Sequence, residues 1–158
     1  MQQRYAPGLF DRLMDGQPRL RGWPLEQLKD AVAGDLEALF NTRAALAGAA
    51  LEPYPEVRNS ILNYGLIDFA GMCLTSDEDR QKICAAVRQA IERHEPRLYA
   101  VSAALRVSDA LVNRLEIVIS ARLKADPAAG LVRFDAVLKP STQQYAIARG
   151  GPSGDGAA

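Results

Sequence analysis

Two cysteines, one histidine and one tryptophan are the whole stock of those types in 158 residues, and aromatic residues make up only 6% of the chain. Cys73 and Cys84 form no CxxC pair and have only His94 to join them, which falls short of the four ligands of a structural zinc. No metal is expected, and both thiols read as reduced, partly buried small side chains. Nineteen basic residues cancel nineteen acidic ones. Without a positive surplus or an aromatic platform, a surface that tracks phosphates is excluded, and with it nucleic acid as a partner. No apolar run approaches the ~20 residues that span a bilayer, and residues 1–7 lack the apolar core of a signal peptide, so membrane insertion is not expected and a cytoplasmic location is. No Gly-rich phosphate loop, HExxH, GxSxG or Ser/His/Asp set occurs, and no cofactor is implied. A hydrolase would have to be built from carboxylates. Glycoside cleavage needs two of them facing across a cleft, roughly 5 to 9.5 Å apart, one kept protonated. Glu95 with Asp109 or Glu116 can be nominated, but their placement around a corner signals no shared cleft, and no catalytic residue is expected.

What is present is a change of period. Ile83, Val87, Ala90 and Ile91 recur at helical spacing, whereas Tyr99, Val101, Ala103, Leu105 and Val107 alternate with small or polar residues. Between them lies Glu95-Pro96-Arg97. Proline bars the helical conformation at Glu95 and supplies no N–H for another turn, so the chain must bend from helix to strand there. Two readings of the flanking charges stand: polar punctuation at an exposed corner, or a rigid docking pair in which Arg97 offers its planar fork to another chain.

The remainder reads in order as α+β: about three N-terminal helices packed on a small C-terminal antiparallel sheet of three to four strands. Residues 1–23 form an arm whose apolar cluster Leu9, Phe10, Leu13 and Met14 either folds back or covers a partner. A single domain spans 24–149. Its first helix runs from Pro24 to about Leu46, with the polar Asn41-Thr42-Arg43 at its end as a solvated last turn or a contact surface. A shorter helical segment places Val57, Ile61 and Leu62 on one face and closes at Gly65. Ser76, followed by acids, starts the third helix. Strands follow at Tyr99–Val107, Leu115–Lys124 and Val132–Lys139, with Gln144–Ala148 as a possible fourth at the edge. Residues 150–158 are too polar to pack and are expected to be disordered. The open sheet edges are templates for strand addition by another chain.

Taken together, Leu9-Phe10-Asp11-Arg12-Leu13, then residues 35–43, then Ser60 to Phe69, then Glu95-Pro96-Arg97-Leu98 and Leu115 to Ile119 resemble the TssE family of type VI secretion baseplate subunits. That family belongs to the lysozyme-related baseplate wedge proteins of contractile phage tails. Ile67 and His94 depart from it, standing where proline and an aromatic or apolar residue are usual. The resemblance covers residues 9 to 148. It implies a structural protein that binds the larger wedge subunits (TssF and TssG type), other baseplate subunits and sheath proteins, and that starts sheath polymerisation at the baseplate. It also implies that Glu95, Pro96 and Arg97 make the wedge contacts. The rival expectations are a peptidoglycan-cleaving hydrolase and an adaptor or anti-adaptor of the same fold.

Overall fold

The computed structural model describes residues 3–14, 22–46, 48–69, 71–108, 114–139 and 141–151. Two long helices, α2 (Leu25–Phe40) and α5 (Asp77–His94), lie on one face of a four-stranded antiparallel sheet. Its strands β1 (Leu98–Ser108), β2 (Arg114–Leu123), β3 (Leu131–Lys139) and β4 (Gln144–Arg149) neighbour one another in chain order. Short helices α1 (Leu9–Met14), α3 (Gly48–Leu51) and α4 (Pro55–Arg58) complete the helical part. The fold is the expected α+β meander on helices.

The periodicities account for the layers. Leu28, Val32, Leu36 and Leu39 of α2 meet Ile83, Val87 and Ile91 of α5 and the inward residues Ile117, Ile119, Ala121, Leu123, Phe134 and Ala136 in one core. Helix α2 runs beside β4, and α5 beside β1. Ser76 caps α5 by accepting from the Asp79 amide, with Asp77, Glu78 and Asp79 in its first turn, where the helix dipole favours acids.

Four expectations need correction. Helix α2 stops at Phe40 instead of near Leu46, because Thr42 and Ala44 exchange backbone bonds with Leu66 (2.8 and 2.9 Å) and pull the chain into an extended bridge. The shorter segment breaks into α4 and a 3₁₀ turn at Ile61–Asn63, with Ile61 83% exposed, so its apolar residues form no buried face. In β1 the pairing shifts between Tyr99 and Ser102, where Ala100 takes a φ of 50°. This bulge inserts one residue, so Leu98 as well as Val101 turns into the core and Tyr99 is only half-buried. Cys73 is exposed, its thiol 2.9 Å from the Thr75 hydroxyl, whereas Cys84 is half-buried.

Within the arm, Tyr5 and Trp23 are buried and exchange backbone bonds of 2.9 and 2.7 Å. At the other end, the Gly150 amide donates to the Arg133 carbonyl. Asp109 with Ala110, and the tail from residue 152, lie outside the described residues.

Candidate functional site

The elbow is built by α5 running out at Pro96. The Glu95 amide closes the last turn on Ile91 O (2.8 Å), the Leu98 amide donates to Glu95 O (3.2 Å), and Arg97 O receives Lys124 N of the segment after β2 (2.9 Å). Pro96 is left exposed at the tip. Glu95 is not: it is only 3% exposed, the one charged residue among the buried described residues. Its Oε1 accepts from Arg97 Nε (2.7 Å) and from the Arg97 amide (3.2 Å), and its Oε2 accepts from Nη2 (2.5 Å). The same Nη2 donates to Asp35 on α2. These bonds to Glu95 hold the guanidinium firmly charged; burial opposes them, and Asp35 adds to them. Glu95, Pro96 and Arg97 therefore stand together, but only Pro96 faces outward freely. The fork that sequence reasoning offered to a partner is engaged at home, locking α5, β1 and α2 to one another. Asp35 was not singled out as its partner, since 62 residues separate it from Arg97.

His94, at the end of α5, sets its ring edge-on to Tyr64 (centroids 5.2 Å apart) with Nε2 3.1 Å from Asn63 O. Burial lowers its pKa below the ordinary histidine value; the Asn63 carbonyl opposes this, and Arg93 adds to it. An unfolded chain takes up a proton near pH 6.5 that the folded chain resists, so this contribution to stability is intact above pH 6.5 and falls as the pH drops below it. In thermal melts between pH 7.5 and 5.5, His94→Phe is expected to lose less stability on acidification than the wild type; equal losses would remove His94 as the cause.

The two borders of the sheet differ. On β4, Asn41 acts as a stand-in for a strand peptide: its Oδ1 accepts from Tyr145 N (2.8 Å) and its Nδ2 donates to Tyr145 O (2.9 Å). Glu37 accepts from Ile147 N (2.9 Å), and Arg149 is held by Glu26 and by Asp30. This border is closed, against the expectation of two open ones. Strand alternation then turns the Ala103 and Leu105 amides of β1 outward. Among the described residues no side chain bonds those amides, and only Arg80 reaches the Leu105 carbonyl (3.4 Å). The polar interruption at Asn41 was the one signal in the sequence for the closed border, and it does not say which backbone Asn41 meets.

Glu95 and Glu116 do not face each other across a cleft. Both oxygens of Glu95 are held by Arg97, and Glu116 stands opposite Arg106, eight residues along β1 from Leu98, or roughly 25 Å at strand rise. Asp109 lies outside the described residues. Among the described residues no group of three or more His, Cys, Asp or Glu could hold a metal, and no helix is long and apolar enough to cross a membrane.

A buried, self-satisfied ion pair at a corner and a sheet closed on one border mark this small α+β domain. Its family follows from comparison. Residues 26–128 match the model of the family described as baseplate wedge protein gp25, and the chain belongs to that family. It is a structural component of a baseplate. Among solved structures it is similar to a chain in "The baseplate complex from the type VI secretion system", with a TM-score of 0.50 and 16% identity over 76% of this chain and 94% of that one. At that identity the likeness speaks for the fold. No curated protein matches the chain.

Proposed function

We propose that the chain is a non-catalytic wedge subunit of a type VI secretion baseplate, placed in the cytoplasm. It binds the larger wedge subunits, of the TssF and TssG type, at the corner formed by Glu95, Pro96 and Arg97. It starts the sheath by accepting strands from sheath proteins along β1. The observation that carries this reading is that, among the described residues, no side chain or strand bonds the outward Ala103 and Leu105 amides of β1, which leads out of the elbow, while β4 is shut. Main-chain bonds along such a border give affinity, and alternate side chains give register.

Two measurements test it. Recovery of the protein from cells under native conditions should bring down the larger wedge subunits, identified by mass; their absence would favour the adaptor reading. Ala103→Pro removes an outward amide that bonds nothing within the sheet, so the fold should survive while sheath assembly fails. Normal sheaths with this variant would sink strand addition at β1.

A further inference from the structure

One flank of α5 overlooks the outer border of β1. Arg80 shows which flank, since its Nη2 lies 3.4 Å from the Leu105 carbonyl, a group that strand alternation turns out of the sheet. Arg80 is loosely held there. That bond is long, and its other contact, Nη1 to Asp77 Oδ1, spans 3.7 Å to a carboxylate that is 91% exposed. Cys84, one turn further along α5, is half-buried. Helix and strand run in opposite directions from their shared corner. A helical turn of four residues (about 6 Å) therefore matches two strand residues (about 6.6 Å), and the step from Arg80 to Cys84 parallels the step from Leu105 to Ala103. Leu105 is buried toward the helices, whereas Ala104 and Arg106 are exposed on the other face. A residue laid opposite Leu105 by a neighbouring strand also points to the helix side, where Arg80 stands. At the elbow end the border is cut short. The pairing shifts between Tyr99 and Ser102, with Ala100 at a φ of 50°, so a straight ladder on the outer side begins at Ser102.

We propose that Arg80 selects the strand that joins β1: a partner segment with Glu or Asp opposite Leu105 and an apolar residue opposite Ala103. The inference rests on strand addition at β1 and adds which strand is taken. An incoming amide takes over the Leu105 carbonyl and displaces the guanidinium from it. At a border now partly closed to water the guanidinium needs another acceptor, and a carboxylate matches its planar fork. A Lys in that place sets two cations together, and an apolar residue covers the guanidinium without accepting from it. The residue opposite Ala103 meets half-buried Ala103 and Cys84, which favour carbon over charge. The bulge fixes where the ladder starts and Arg80 fixes which residue faces Leu105, so the two together set the register. A cation at a strand border also deters indiscriminate pairing.

The experiment is an amide-resonance titration of the full chain with three capped seven-residue peptides of alternating Thr and Val, whose central residue is Glu, Gln or Lys. The Glu peptide is expected to perturb residues 102–106 and the Arg80 side chain, and to bind at least about fivefold tighter than the Gln peptide, with the Lys peptide weakest. Arg80→Glu should reverse the order of the Glu and Lys peptides, and Arg80→Gln should erase the difference; should Arg80→Glu fail to fold, Arg80→Gln carries the test. Equal binding of the three peptides to the wild type, or no perturbation of residues 102–106 by any of them, overturns the proposal. So does an Arg80→Gln variant that takes up all three more tightly, since the side chain would then be only a cover for the Leu105 carbonyl. Concentration-dependent self-association of the wild type that Ala103→Pro abolishes also counts against it, because the occupant would be a second copy. Sheath assembly in cells separates this inference from the reading beneath it. Assembly lost with Ala103→Pro but kept with Arg80→Glu sinks the selection alone, whereas assembly kept with both sinks strand addition at β1 and the selection with it.

Discussion

Arg97→Ala should destabilise the fold by about 3–5 kcal/mol, the usual cost of removing one member of a buried ion pair, and lower the melting temperature by on the order of 10 °C for a chain of this size. The cause is Glu95. Without the guanidinium its carboxylate loses the donors at 2.7 and 2.5 Å and keeps only the Arg97 amide at 3.2 Å, in a site nearly closed to water. Asp35 loses its partner too, but it is largely solvated and its share is small. Arg97→Lys should recover only part of the loss, because an ammonium keeps the charge but cannot reproduce the planar fork from Nε and Nη2. Pro96→Ala, at the exposed tip, should stay within about 1 kcal/mol of the wild type. A melt of Arg97→Ala within about two degrees of the wild type would show that the pair does not hold the corner. The same result governs how a pull-down is read: lost recovery of wedge subunits with Arg97→Ala reports on binding only if the variant is shown to be folded under the conditions used.

Gly65→Ala should cost about 3 kcal/mol, combining backbone strain of 1–3 kcal/mol with weakening of a hydrogen bond worth about 1. Gly65 has a φ of 119°, where a side chain is strained in any surroundings. The surroundings are also full: a Cβ there would meet Thr42 O at 2.5 Å and Ala44 N at 2.8 Å. Both are backbone atoms of the bridge to Leu66, so neither can swing aside as a side-chain tip would. Gly34, in α2, offers the contrast. A Cβ there meets nothing within 4 Å, and Gly34→Ala should stabilise by up to about 1 kcal/mol through helix propensity. Denaturant titration of both variants checks the pair; equal stabilities would refute the tight crossing at Gly65.

Much of the fold was legible because its signals are local. The apolar spacing of α2 and α5, the Ser76 cap, the proline at the corner and the alternation of β2 and β3 are each written within a few residues. What was missed depends on residues far apart. Asn41 closes the border of a strand that presents Tyr145 to it from more than a hundred residues later. The bulge in β1 carries no glycine or proline to announce it; Ala100 takes its positive φ in the pairing with β2. The site was half legible. Pro96 fixed where the corner lies, but a Glu-Pro-Arg tripeptide reads the same whether its charges face water or each other, and only Asp35 and the packing of α5 on β1 turn them inward.

The closed border on β4 has one more consequence. A sheet that can be joined from a single side has a front and a back, so any chain of strands begun on it is directed from its first member. Polarity of that kind needs no separate terminator: it is set by two side chains, Asn41 and Glu37, lying where a neighbour's backbone would otherwise dock.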